Sequence, residues 1–401
     1  MLLRGFSGFI QPALLAFCLT GMLFGYSPTH AERPATQYLQ PQTEQPTVSR
    51  DVSLMTTRVV FSIVLDQASL HSTSSTSSTS STSSDNNTNN SSDNSGTARA
   101  ERAIDQAIKE FQRIEAVMSE WRPDSEVSRI NRNAGGDAVE ISFELFRLLQ
   151  AARQISELSE GAFDVSFRSA GTLWDFRKAT VPEPEQIQQA IQHIDYRRLE
   201  LVPPALDSEA GGQGKLPKAR ISHPNTSIGL GAIAKGYAVD RAAQLFRQAG
   251  FDAFSINAGG DLYVAGRKGE QLWKVGIQHP RERDRLLANL PSSNLAVATS
   301  GDYERFFIHN GQRYSHIINP HTGYPANGCQ SVTIMAERAF WADALATAVF
   351  VLGPSKGLAL VENMDGVETL IVDDQGKVRM SSGFSPEPEP DAVQTPTVVA
   401  D

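Results

Sequence analysis

Between Ala339 and Leu352 the chain reads AFWADALATAVFVL, which leaves a helix no polar face to turn toward water. A helix that is apolar all round has to be covered by other elements, so this segment is expected to be a buried helix within a larger fold. Two polar side chains interrupt it, Asp343 and Thr347, at i and i+4 and therefore on one face. A carboxylate in such surroundings must be paired or must bind a cation. One carboxylate, a hydroxyl and a backbone carbonyl suit Mg²⁺, which fills its other positions with water and substrate phosphates. The structural alternative pairs Asp343 with Lys235 or an arginine.

Elsewhere strands and helices alternate. Strands are expected at Thr57–Leu65, Ala253–Asn257, Trp273–Gln278 and Thr369–Val372. Helices are expected at Ala98–Trp121, Ser142–Glu160 and Ile233–Ala249, the first carrying Ile104, Ala107, Ile108, Phe111, Ile114 and Met118 at helical spacing. This mix indicates an α/β or α+β architecture rather than a bundle or a sandwich. The 401 residues allow one large or two intimately packed domains. A formal net charge of −9 argues against nucleic acid as the main partner.

Residues 1–31 read as a signal peptide: Arg4 supplies a positive start, Phe9 to Tyr26 is an apolar run, and Thr29-His30-Ala31 offers a cleavage site. Cys18 follows Phe17, where a lipoprotein signal needs a small residue, so a soluble exported protein is expected rather than a lipid-anchored one. Cleavage leaves Cys329 as the one cysteine and excludes an intramolecular disulfide. A large disulfide-free domain behind an export signal points to a bacterial periplasm. Residues 32–50 read as a flexible leader, 51–383 as the folded domain, and 384–401 as a Pro-rich disordered tail. The Ser/Thr/Asn tract at 69–97 has too little apolar surface to offset its ordering entropy and is expected to be a disordered insertion. A further Pro/Gly/Lys loop is expected at 203–219.

Three other segments carry chemistry. In Gly229-Leu-Gly-Ala-Ile-Ala-Lys-Gly236 the glycines let the backbone approach a ligand, the following helix offers free N–H groups, and Lys235 adds a cation for phosphate. Asn257-Ala-Gly-Gly-Asp261 ends a strand in a tight turn, with Asp261 a cap or turn former. The stretch Ala298–Pro325 gathers Asp302, Glu304, His316 and the Pro320–Gly323 turn into one hairpin-like, ligand-handling unit. Trp121, before Arg122-Pro-Asp-Ser, either stacks on a flat ligand or belongs to the core.

Seven motifs in order, MSEWRPDSEVSRIN (118–131), EGAFDVSF (160–167), GLGAIAKGYAVD (229–240), INAGGDL (256–262), ATSGDYERF (298–306), YSHIINPHTGYP (314–325) and ADALATAVFVLG (342–353), resemble the ApbE-type FAD:protein FMN transferases. The resemblance implies two lobes related to the T-fold with FAD in the cleft between them. It implies FAD contacts from Met55, Trp121, Ala162, Phe163, Asp164, Lys235 and Ile317, and Mg²⁺ held by the Ala232 carbonyl, Asp343 and Thr347. His316 falls where the family has a histidine proposed to activate the acceptor hydroxyl, with Lys235 beside it in the chemistry. The implied reaction moves FMN from FAD to a Ser or Thr of an exported or membrane-bound flavoprotein and releases AMP. An FAD pyrophosphatase and a non-catalytic flavin carrier are the alternatives. Three positions depart from the family pattern: Thr56 replaces a usual Gly, Gly229 a usual Asp that contacts flavin, and Ala346 a carboxylate found in some members.

Overall fold

The computed structural model describes residues 45–65, 96–204 and 215–386. The signal-peptide reading, the leader through residue 44, the Ser/Thr/Asn tract through residue 95, the loop at 205–214 and the tail from 387 lie outside the described residues.

The first described elements form a hairpin, β1 (Thr47–Leu54) and β2 (Thr57–Val64). β1 begins inside the stretch read as leader, because its Thr, Ser, Arg and Asp residues alternate with half-buried Val48 and Val52 against α1. That helix, α1 (Gly96–Met118), buries Ala100, Ala103, Ile104, Ala107, Phe111, Ile114 and Met118 on one face. Phe111 meets Phe61 of β2 edge-on at a ring separation of 5.6 Å. Then come α2 (Glu126–Arg132), β3 (Val139–Glu140), α3 (Phe143–Leu158), the short α4 (Arg168–Gly171), α5 (Pro184–Ile191), β4 (Leu199–Val202) and β5 (Lys218–Ile221). Ser142 caps α3 by accepting a hydrogen bond from the Leu145 amide at 3.2 Å.

The second half supplies α6 (Ala234–Gln248), β6 (Phe254–Ala258), β7 (Asp261–Ala265), β8 (Trp273–Gln278), β9 (Leu286–Ser292), β10 (Leu295–Gly301), β11 (Phe306–His309) and β12 (Gln312–Ser315). It closes with β13 (Cys329–Ala336), α7 (Ala339–Val361), β14 (Glu368–Asp373) and β15 (Val378–Met380). The main sheet has eight strands in the order β1-β2-β6-β7-β10-β13-β14-β15. Its pairings are all antiparallel, so α+β is the description that holds. A smaller sheet runs β3-β5-β4, and β8-β9 and β11-β12 are separate hairpins. Phe384, expected to open the disordered tail, is buried with Leu370 and Val372.

α6 and α7 pack on the main sheet and on each other. α7 buries residues all round its first half, as its composition requires. It breaks at Gly353 (φ 78°, ψ 174°), one residue past the end expected from the sequence, and Pro354 starts the second half. The two helices meet so closely at Gly236 that any Cβ there would collide with the Ala339 carbonyl. Each helix also caps the other. Asp240 of α6 accepts hydrogen bonds from the Ala339 and Phe340 amides at 2.9 and 3.2 Å. Asp343 of α7 accepts one from the Gly236 amide at 3.0 Å. These exchanges satisfy amide donors that a helix start leaves free.

Candidate active site

The N-terminus of α6 has no side-chain cap of its own, since Ile233 occupies the cap position. Asp343 arrives from α7 to fill that role and to approach Lys235, whose Nζ lies 3.6 Å from Asp343 Oδ1. The same ammonium forms a closer ion pair with Asp261. Asp261 opens β7 directly after Gly259 and Gly260, both at positive φ (62° and 100°). A side chain at Gly259 would strike Thr57, so the two-glycine turn is what lets β6 and β7 close beside the β1–β2 turn.

Asp261 and Asp343 are buried, at 3% and 4% exposure, while the Lys235 side chain keeps 30%. Desolvation opposes the charge on Lys235, but the two carboxylates outweigh it and hold the ammonium above its ordinary range. Burial and then the charge of Asp343 push Asp261 upward, with Lys235 opposing. These two directions pull the pair toward different protonation states. The close contact decides for an ion pair, and one ammonium between two carboxylates leaves the cluster an excess of negative charge. Thr347, one turn along α7, lies with its hydroxyl 3.4 Å from that of Ser300 on β10. Ala232 sits half-buried in the turn before α6.

His316 joins this group from the hairpin-like unit, which is built as β11-β12 followed by a tight turn at Asn319–Tyr324. Its amide donates to the Arg305 carbonyl at 2.9 Å, fixing the backbone as it leaves β12. His316 is exposed to solvent. Desolvation, then the cations of Lys235 and Arg305, push the imidazole down to about 4, so it is neutral at neutral pH. Glu304 also faces Lys235, and burial raises its carboxyl. Asp302 is committed elsewhere, bridged by both terminal nitrogens of Arg281 at 2.7 Å.

The Gly229–Gly231 turn leads away from this cluster to a second group. Trp121 is 76% exposed, with the Arg168 guanidinium 5.4 Å from its ring centre. It is therefore not a core residue. Ala162, Phe163, Asp164 and Ile317 are buried. Asp164 accepts from the Ser166 amide and hydroxyl at 2.7 and 2.6 Å and from the Tyr196 amide at 2.8 Å. Burial raises its carboxyl to about 6 despite these bonds. The polar groups this run leaves for a ligand are thus main-chain ones. Met55 and Thr56 form the β1–β2 turn at φ 48° and 60°, so Thr56 is a β-branched residue where a glycine would be unstrained.

The sequence brings Lys235, Asp343, Thr347 and His316 together but gives Asp261 only as a cap or turn former, although its motif ends on the strand beside the Lys235 helix.

Residues 75–371 match the model of the ApbE family. This chain belongs to the ApbE family. Among ApbE-family relatives, an FAD:protein FMN transferase of Treponema pallidum is 35% identical over 301 residues, which cover 72% of this chain and 81% of that protein. One from Haemophilus influenzae is 32% identical over 298 residues, covering 71% and 83%. The crystal structure of the ApbE protein from Thermotoga maritima superposes with a TM-score of 0.67 at 30% identity, covering 84% of this chain and 97% of that one. The ApbE resemblance carried by the seven motifs therefore holds, and so does the mixed helix–sheet fold.

Proposed function

We propose that this chain transfers the FMN moiety of FAD to a Ser or Thr hydroxyl of an exported or membrane-bound flavoprotein and releases AMP. The observation that carries the reading is the cluster of Lys235, Asp261 and Asp343 at one helix start, whose ammonium acts on the exposed His316, in a chain whose relatives are named for this activity.

The acceptor oxygen forms a bond to the flavin-side phosphorus as that phosphorus loses its bond to the bridging oxygen, which leaves on AMP. His316 takes the hydroxyl proton; an imidazole uncharged at neutral pH is ready to do so. Lys235 faces the charge that builds on the phosphate oxygens, whereas the Ala234, Gly236 and Tyr237 amides expected to help are already held by Leu230, Asp343 and Ile233. Among the described residues no group of three or more His, Cys, Asp or Glu gathers for a metal. Yet the donor set fits Mg²⁺: the buried Asp343 carboxylate, the Thr347 hydroxyl and the Ala232 carbonyl are hard oxygen ligands, and the cluster around them is short of positive charge. When bound, the ion would neutralise the diphosphate and assist departure of AMP. The N-terminal sequence supports export to the periplasm, where the acceptor would be met.

The test is incubation of the purified protein with FAD, Mg²⁺ and a periplasmic flavoprotein domain bearing a Ser/Thr acceptor, read by in-gel flavin fluorescence. A fluorescent acceptor band, lost in Asp343→Ala, is the expected result. Free FMN and AMP with no band on any acceptor would favour a pyrophosphatase, and FAD binding without turnover a carrier.

A further inference from the structure

The second group, at the Gly229 end of the turn, has a property the transfer reaction does not explain. Glu120 lays its carboxylate over the Gly229–Gly231 backbone, where a Cβ on Gly229 would stand 3.0 Å from Glu120 Oε1 and one on Gly231 4.0 Å. The main-chain N–H groups of Leu230 and Glu120 and the Arg168 cation lie near enough to favour its charged form. The Cδ of Arg168 approaches the same Gly229 position at 3.3 Å, so two opposite side chains converge on the room that a missing side chain leaves. One nitrogen of Arg168 reaches the Ser227 hydroxyl at 3.4 Å, but its Nε–H is buried and finds no acceptor among the described residues. A buried donor without a partner is uncommon in a finished protein, so the half-buried Arg168 guanidinium keeps hydrogen-bonding capacity that its protein neighbours do not use. Beside the pair stands Trp121, its ring exposed and available to stack.

An acceptor, a donor and a flat aromatic surface meeting at one point fit the edge of a heteroaromatic ring that itself alternates N–H donors with carbonyl or ring-nitrogen acceptors. Both rings of FAD have such an edge. Resting on the FAD reading above, we propose that Glu120 and Arg168 are specificity residues that hydrogen-bond the polar edge of the FAD ring seated at Trp121, Glu120 supplying the carboxyl for which Gly229 leaves room. Burial pushes the Glu120 carboxyl upward, while the two amides and Arg168 oppose it. A group balanced in this way accepts contact with an uncharged ring more readily than an exposed, strongly hydrated carboxylate does.

The exchange of positions gives a direct test, using quenching of FAD fluorescence to measure binding to the full chain. Glu120→Ala is expected to weaken FAD about tenfold, the worth of one buried hydrogen bond. Gly229→Asp alone is expected to weaken it as well, because it sets a second carboxylate against Glu120. Glu120→Ala with Gly229→Asp returns the carboxyl from the other side and is expected to recover binding to within about threefold of the parent. Riboflavin and AMP as separate probes identify the ring: the one whose affinity falls in Glu120→Ala is the one read here. Unchanged FAD binding in Glu120→Ala, or no recovery in the double variant, would overturn the proposal. A purely structural role predicts such failure of recovery, with thermal stability and binding lost together. If Glu120→Ala shows no thermal transition, Glu120→Gln is measured in its place, and recovery by Gly229→Asp is still required. A parent protein that binds no FAD would sink the flavin reading itself, whereas normal parent binding with an indifferent Glu120 variant sinks this proposal alone.

Discussion

The starts of α6 and α7, which meet at one crossing, are capped alike and do different things. At one start Asp240 takes the first amides of α7; at the other Asp343 takes an amide of α6. Both carboxylates are largely buried and both come from the opposite helix. They differ in company. Asp240 has two amides and Arg338, at 3.7 Å, and nothing further to satisfy. Asp343 has one amide, shares Lys235 with Asp261, and lies a turn from Thr347. A cap whose hydrogen bonds are complete is a structural device. A cap that crowds a second carboxylate around one ammonium holds charge in reserve for a ligand.

That contrast breaks first at Asp343. Asp343→Asn keeps an oxygen for the Gly236 amide but removes the charge, so FMN transfer should fall at least about a hundredfold while the melting temperature changes little. A variant that transfers FMN at the parent rate would show that the two starts are equivalent after all.

The next test concerns His316. Its folded value of about 4 lies below the ordinary 6.5, so the neutral form persists as pH falls and is lost only near the lower value. The acid limb of kcat/KM assigned to this group should therefore sit well below pH 6.5, and His316→Ala should abolish that limb. The stability sign follows from the same shift: between the two values the unfolded chain binds more protons, so this group's contribution falls as pH drops below 6.5. An acid limb at 6.5 or above would place the ring in ordinary water-like surroundings.

Asp240→Ala should give the converse of Asp343→Asn. Loss of a two-amide cap is expected to cost about 1–2 kcal/mol of stability in denaturant unfolding, with the specific activity of the folded enzyme retained. An activity loss larger than the stability loss would show that the start of α7 also shapes the site. The smallest effect is at the β1–β2 turn, where Thr56→Gly should stabilise by up to about 1 kcal/mol through relief of the positive φ. Destabilisation there would mean that the threonine side chain contributes contacts worth more than the strain.

Much of the site was legible because its residues lie in short motifs with local spacing. Asp343 and Thr347 declare themselves by standing on one face of an otherwise apolar helix. The break at Gly353 is equally local, set by Gly and Pro in succession. What stayed hidden depends on partners far away in sequence. Asp261 reads as a turn residue until β7 is seated beside α6, and Asp240 reads as an ordinary helix residue until α7 arrives. The order of the eight strands has no local signature either, since it joins β2 to β6 and β7 to β10 across long stretches. β1 was obscured by its polar composition, which suits an edge strand as well as a leader.

The contact at Gly236 has a consequence for anyone who would rebuild this protein. With no space between that residue and the Ala339 carbonyl, the two helices have a single permitted separation, and the positions of Lys235 and Asp343 relative to one another follow from it. Neither helix can be exchanged, lengthened or redesigned at this crossing by itself. The smallest part of the site that could be moved to another scaffold is the crossed pair.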